Sequence, residues 1–153
     1  MGSLIRRLRA CAREEQGAEL IEFVVAFPLL MLILSGILDF GMMMRSYEVV
    51  TNAAREGARV AVLDGYDSND IQNRVTQYAN ASGLGGAAPV ATTANVPVTT
   101  AAGTFTARSV TVTWTYQMAV LGAASGLFGG SIGNVPLTAT SVMRAEVQAA
   151  PAP

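Results

Sequence analysis

The chain of 153 residues has no histidine, no lysine and a single cysteine, Cys11. Histidine is the commonest general base and metal ligand in enzymes, so its absence removes the usual catalytic and metal-binding side chains. One cysteine cannot form an intrachain disulfide, and packing alone must hold the folded part of the chain together. The sequence therefore predicts no enzyme, no cofactor and no bound metal.

The charges are few and nearly balanced, with ten arginines, eleven acids and a net charge of -1. The arginines are spread along the chain and interleaved with acids, which excludes the basic patch typical of a nucleic-acid-binding protein. Asp64, Asp67 and Asp70 recur at three-residue spacing, which suits either a divalent cation or a turn followed by a helix. The second interpretation is favoured, because acids stabilise the N-terminus of a helix.

A long apolar segment is the main feature of the N-terminal third. Residues 23–38 contain no charged side chain, and apolar residues continue on both sides of Glu22 and Asp39. About 20 such residues cross the hydrocarbon core of a bilayer. Hydrophobic residues make up 51% of the chain and its mean hydropathy is +0.38. We therefore predict a transmembrane helix over residues 18–44.

The charges before this segment predict its orientation. The residues that follow the segment are nearly balanced in charge. The residues that precede it include four arginines: Arg6, Arg7, Arg9 and Arg13. By the positive-inside rule the N-terminus lies in the cytoplasm and the C-terminal part lies outside the cytoplasmic membrane. A cleaved secretory signal is disfavoured, because the apolar run is long and has no small-x-small exit. A twin-arginine signal is disfavoured because acids separate the arginine pair from the apolar run.

Helical periodicity continues beyond the apolar segment. Small and apolar residues recur every three or four positions over residues 45–63, which predicts an amphipathic continuation and hence one helix from about 18 to 63. Ala53, Gly57 and Ala61 form a stripe of small residues that permits close packing. We expect Trp114 and Tyr116 to pack on this stripe.

Pro28 lies within the predicted transmembrane helix. Proline has no backbone N–H, and its ring opposes the preceding turn. We therefore expect Pro28 to remove one hydrogen bond and to bend or loosen the helix.

Residues 64–147 predict a small α+β domain with antiparallel strands, followed by a disordered tail at 148–153. A turn at Asp64-Gly65 precedes a short helix at 70–81, capped by Ser68 or Asn69. Residues 83–103 are interpreted as an irregular connection, because they are rich in glycine, alanine and threonine. Strands are predicted where apolar residues and threonine alternate before Met118, and again over residues 137–147.

A glycine-rich, apolar loop is predicted between these strands, over residues 121–136. Its large apolar side chains belong either to the core or to a contact with a neighbouring subunit: Leu121, Leu127, Phe128 and Ile132.

The junction between the charged leader and the apolar helix contains a candidate cleavage site and a candidate charge pair. A peptidase that cuts after Gly17 would expose the amine of Ala18 about one helical turn from Glu22. An acid inside a membrane is costly unless it has a cationic partner, and this ammonium group, or that of a neighbouring chain, is such a partner. The alternative is that Glu22 lies among the lipid headgroups.

The N-terminus resembles that of a type IV prepilin: a basic leader ends in Gly17, Ala18 follows, and Glu22 is the fifth residue after the cut. More closely, the chain is similar to TadE-like pseudopilins of the tight adherence (Tad, Flp-type) pilus. The similarity rests on the segments Gly17-Ala18, Glu22-Phe23, Pro28, 36–40, the strand with Arg144 and Glu146, and the motif Asn52, Ala53, Ala54, Arg55, Glu56, Gly57, Ala58 and Arg59.

This resemblance implies a non-enzymatic minor pilin-like subunit that primes or caps the pilus. A prepilin peptidase would remove residues 1–17, leaving a single-pass protein of the bacterial inner membrane. The implied partners are this peptidase, other pilus subunits and minor pilins, the inner-membrane platform proteins and membrane lipid. The alternative is an uncleaved bitopic scaffold of the assembly platform that never enters the filament.

Overall fold

The computed structural model describes residues 2–101, 103–127, 129 and 133–144, and side chains from Gly17 onward except at positions 124 and 127. The predicted disordered tail and the residues Phe128, Ile132 and Glu146 lie outside this range. So do the side chains of Cys11 and Leu127. The described chain is a long apolar helix followed by a small antiparallel sheet, which confirms the predicted α+β class.

Helix α1 extends over Gly2–Ala61. It begins earlier than the predicted residue 18, because the charged leader is itself helical, and it ends two residues before the predicted residue 63. Its end is followed by a turn in which the N–H of Leu63 donates to the carbonyl of Val60, 3.1 Å away. Gly65 has φ +87°, a left-handed conformation that glycine adopts without strain.

Helix α2 extends over Ser68–Ala81. Its N-cap is Asp67, and the predicted caps Ser68 and Asn69 are therefore wrong. The Asp67 carboxylate accepts from the N–H groups of Asn69 and Asp70 at 2.8 and 2.9 Å, and the Asp70 carboxylate accepts from the N–H of Asp67 at 3.0 Å. This reciprocal capping box satisfies backbone donors that the first helical turn leaves free.

Three strands form one antiparallel sheet in the order β1-β2-β3. Strand β1 is Val90–Thr100, β2 is Gly103–Tyr116 and β3 is Val135–Arg144. The prediction of an irregular connection over 83–103 is therefore wrong for most of its length. The predicted loop 121–136 is also wrong in part, because it contains helix α3, Val120–Leu127, and the start of β3.

The chain divides into two compact units. Among the described residues, those of 40–118 and 133–144 form the first, which we call the sheet unit; those of 2–39 and 119–129 form the second, the apolar unit. The predicted domain boundaries follow the linear sequence, whereas the apolar unit joins two distant segments. The predicted boundaries remain predictions.

The core of the sheet unit lies between helices and sheet. α1 contributes mainly small residues to it, α2 contributes larger aliphatic ones, and β2 contributes alternate side chains from Val110 to Tyr116. The members that are at most 1% exposed are Val50, Ala53, Ala54, Ala58, Ala61, Ile71, Val75, Ala79, Val110 and Val112. On the opposite face of the sheet, threonine hydroxyls pair across β2 and β3. The sheet therefore has an apolar face on the helices and a polar face outside.

Candidate functional site

The apolar segment of α1 is exposed along nearly its whole length. Over residues 18–39, Leu32, Ser35 and Gly36 are half-buried and Asp39 is buried, whereas the other residues are exposed. Large side chains are included, with Phe23 59% and Val25 72% exposed. α1 is long and apolar enough to cross a membrane, and no part of its most apolar stretch is buried within the protein. Such a surface requires lipid or other apolar helices around it.

Glu22 lies in this exposed segment, on a helix face lined by the apolar residues Ala18, Ile21, Val25, Ala26 and Leu29. In the part of the chain whose side chains are described, the ion pairs are formed by Glu56, and none includes Glu22. The carboxylate of Glu22 is thus presented on an apolar surface. Within a membrane, a carboxylate on such a surface is stabilised by pairing with a cation, which would have to come from outside the described structure.

Gly17 and Ala18 lie inside α1, with helical backbone on both sides. Gly17 does not have positive φ, and a Cβ added to it would meet no described atom within 4 Å. Neither backbone conformation nor packing of the described residues therefore requires glycine at this position. Glycine in a helix interior costs about 1 kcal/mol relative to alanine.

Pro28 lies within α1, which continues through it without a break. The ring leaves the carbonyl of Val24 without its usual helical donor. Bending of the helix at Pro28 remains a prediction.

Asp39, at the end of the apolar segment, is 1% exposed. Its carboxylate accepts from the N–H of Val120, 3.1 Å away, and from the N–H of Leu121, which are the first two residues of α3. A carboxylate at a helix N-terminus satisfies free donors and interacts favourably with the helix dipole. The sequence marks Asp39 as an unusual acid, but nothing in it identifies a partner 81 positions away.

The motif at residues 52–59 joins α1 to α2 within the sheet unit. Glu56 accepts from Arg59, three residues later on α1, at 2.7 Å. It also accepts from Arg74 of α2, whose Nε lies 2.9 Å from the same oxygen and whose Nη2 forms an ion pair with it. Hydrogen bonds from Arg59 and then Arg74 hold the pKa of Glu56 below its ordinary value of 4.5. Arg74 is a partner that the sequence reasoning did not identify.

Gly57 is enclosed by the other elements of the sheet unit. A Cβ added to it would lie 2.8 Å from Val75 Cγ2, 3.2 Å from Val110 Cγ1 and 3.6 Å from Ile71 Cγ2. Ala53 and Ala61 on the same stripe are also buried. The nearest side chains at Gly57 are aliphatic ones of α2 and Val110 of β2, which lies on the same strand face as Trp114 and Tyr116. Packing of Trp114 and Tyr116 themselves on the stripe remains a prediction.

Trp114 is anchored by a hydrogen bond to the segment that precedes β1. Its indole Nε1 donates to the carbonyl of Ala87, 2.8 Å away, and its ring lies 6.2 Å from that of Tyr116. Of the remaining motif residues, Arg55 donates to Asn52 at 3.1 Å on the exposed side of α1. The motif therefore has a buried side that organises the fold and an exposed side that remains available for contacts.

Within residues 17–101, 103–127, 129 and 133–144, no group of three histidine, cysteine, aspartate or glutamate side chains is arranged to hold a metal ion. Asp67 and Asp70 form the capping box of α2, the helix-start interpretation that the sequence favoured. Of the predicted apolar patch, Leu121 is half-buried in α3.

The sequence model of the family described as TadE-like protein matches residues 17–59, which confirms the predicted resemblance. The matched range begins at Gly17, includes the whole apolar segment with Glu22 and Pro28, and ends at Arg59. No curated protein and no solved structure matches the chain.

Proposed function

We propose that this TadE-like chain is a non-enzymatic minor pilin-like subunit of a Tad (Flp-type) pilus. In this proposal residues 18–44 lie in the bacterial inner membrane, and a prepilin peptidase removes residues 1–17. The observation that carries it is the exposed apolar helix that directly follows Gly17 and presents Glu22, all within the TadE-like range.

The exposed surface of this helix supports insertion in lipid. Burying apolar surface is worth about 25 cal/mol per Å², so a row of side chains as large as phenylalanine and leucine is strongly unfavourable in water. A bilayer covers that row, and neighbouring pilin helices would cover it after assembly. The same surface thus serves a subunit that passes from membrane to filament.

Gly17 supports processing at the predicted junction. Packing among the described residues does not explain the glycine, although it weakens the helix at that point. A peptidase must open the helix to reach the bond between Gly17 and Ala18, and a small, helix-weakening residue makes that opening easier.

Glu22 supports assembly through a charge pair. After cleavage the Ala18 ammonium group would lie one turn from Glu22, and the ammonium group of one chain would also be available to Glu22 of the next. A pair between chains would neutralise two charges in an apolar medium and fix the axial position of one helix against its neighbour.

A second candidate function is an uncleaved bitopic scaffold of the assembly platform. The continuity of α1 from Gly2 through Gly17 favours it, because an unbroken helix is a poorer substrate for a peptidase than an extended segment. The two functions differ in whether the chain needs Glu22 to join the other pilus components.

Replacing Glu22 tests the proposal. The Glu22→Gln variant should insert in the membrane and be cleaved after Gly17, because the change makes the segment more apolar, yet it should lose co-purification with the other pilus components. Glu19→Gln is the matched control, since Glu19 is an exposed acid one turn earlier on the same helix. Membrane level, N-terminal sequence and recovery with pilus components are measured for each. If the Glu22→Gln variant is recovered with the pilus components as well as Glu19→Gln and the wild type are, the assembly role of Glu22 is refuted and the scaffold is favoured.

A further inference from the structure

We infer that α3 is a second membrane-contacting element, which lies against the lipid beside the span of α1 in the leaflet nearest Asp39. The inference rests on the insertion of α1 in a membrane and not on its role in a pilus. It concerns the apolar unit alone, in which α3 groups with the part of α1 that ends at Asp39.

The position of Asp39 along α1 places α3 at the edge of the bilayer. From Leu20 to Asp39 a helix rises about 28 Å at 1.5 Å per residue. The hydrocarbon core is about 30 Å thick, so when Leu20 lies near one boundary, Asp39 lies near the other. Because Asp39 receives hydrogen bonds from Val120 and Leu121, the start of α3 lies at that same boundary.

The burial pattern of α1 shows how far the cover extends into the span. Leu32, Ser35 and Gly36 are half-buried and Asp39 is buried, whereas the other residues of the segment 18–39 are exposed. They recur at three and four residues and thus share one helix face. This covered face extends about 10 Å from Asp39 toward the N-terminus, similar to the about 12 Å length of an eight-residue helix. Within the apolar unit, α3 is the described element outside α1, and it begins against Asp39 at one end of this face, so we assign the cover to α3.

The composition of α3 suits lipid. No charged side chain occurs between Arg108 and Arg144, and α3 itself has the sequence VLGAASGL. Its one polar side chain, Ser125, is 5% exposed and donates to the carbonyl of Gly122, 2.9 Å away. The exposed side of the described α3 residues includes Ala123 and Gly126, which present no charge to their surroundings.

The backbone N–H groups at the start of α3 also have a hydrogen-bond partner that suits an apolar medium. A helix N-terminus in lipid must have its free N–H groups satisfied by protein, because no water is available there. The carboxylate of Asp39 satisfies the N–H groups of Val120 and Leu121 from within the protein. The charge of Asp39 is in turn compensated by these donors and by the positive end of the α3 dipole.

A fluorescent label tests the position of α3. In full-length protein with Cys11→Ser, a polarity-sensitive dye is attached to a cysteine at one of three exposed positions: Val25→Cys in the span, Ala123→Cys in α3 and Ala94→Cys in β1. Each protein is reconstituted in vesicles of phosphatidylethanolamine and phosphatidylglycerol, with brominated or ordinary acyl chains. Quenching by the brominated lipid and by aqueous iodide is then measured.

The expected result is that brominated lipid quenches the dye at positions 25 and 123, whereas iodide quenches the dye at position 94. If iodide quenches position 123 as strongly as position 94, α3 lies in water and the inference is wrong. If neither quencher reaches position 123, α3 is covered by protein, and the inference is equally wrong. Strong lipid quenching at position 25 in either case leaves the membrane insertion of α1 intact; its loss would refute insertion and the inference together.

Discussion

Gly57 and Gly41 occupy the same helix but have different surroundings. The Cβ position of Gly57 is crowded by Val75 and Val110, whereas that of Gly41 meets no described atom within 4 Å. The stripe of small residues was visible in the sequence because its members recur at four-residue steps. The sequence did not show which side chains contact Gly57. Alternation within β2 shows which residues share a face of the strand, but not where along α1 that face lies.

This difference predicts the effect of a large side chain. Gly57→Leu should destabilise the protein by about 1–3 kcal/mol, because the added atoms overpack the contact among α1, α2 and β2. Gly41→Leu is the matched control on the same helix and should cause no comparable loss. Denaturant unfolding of both variants in the same detergent checks this. Equal stability of the two would show that the sheet unit repacks around position 57 without cost.

Asp39 and Glu56 show how far single residues can be interpreted from sequence. Both are acids whose partners lie in later elements: Asp39 is bound by the start of α3, and Glu56 by Arg74 of α2. The sequence identifies Asp39 as an exception in an apolar run and Glu56 as part of a family motif. It does not give their roles, because long-range partners depend on how the chain returns to α1.

At the level of elements, the contact between α1 and α2 combines an ion-pair cluster with aliphatic packing. Glu56 and Arg74 lie next to Gly57, Ile71 and Val75, so the charged cluster borders the tightest part of the core. A cluster of two arginines on one carboxylate fixes the rotation of α2 against α1 more strongly than apolar contacts alone, which tolerate small shifts.

The lowered pKa of Glu56 predicts a pH dependence of this contact. A group whose pKa is lower in the folded state stabilises the fold above its unfolded pKa, and the stabilisation is lost as pH falls through the folded value. The Tm difference between the wild type and Glu56→Gln should thus be full at pH 7 and shrink as pH falls below 4.5. Glu48→Gln, an exposed acid on α1, is the control. A difference that stays constant from pH 7 to pH 3 would contradict the prediction.

The sequence predicted the elements that carry a periodic pattern or clear signals at their ends, which include α2 and β3. α1 and β2 carry large apolar residues at regular spacing, and both were predicted. β1 was missed because none of its residues is fully buried and because alanine, threonine and Pro97 do not alternate in size. α3 was missed because its glycines and alanines weaken the helical signal, and its start depends on Asp39.

On the scale of the whole molecule, the TadE-like range crosses the boundary between the two units. Residues 17–39 belong to the apolar unit, and residues 40–59 to the sheet unit. The matched range supplies a segment of α1 to each unit, while α2, the sheet and α3 lie outside it. The apolar segment could be predicted because its signal is local, whereas the assignment of α3 to the apolar unit required the structure.

The proposed maturation can be tested on the whole chain through its single thiol, that of Cys11. Cleavage after Gly17 removes Cys11, so the mature protein should contain no cysteine and should not react with a maleimide. Gly17→Leu should keep the leader and the thiol, because a bulky residue at the cut obstructs the peptidase and strengthens the helix there. Gly41→Leu, whose position is equally open, should mature normally. Intact mass and thiol labelling of membrane-extracted protein distinguish the forms. If wild-type protein in the assembled machine still labels at Cys11, the subunit acts as an uncleaved scaffold.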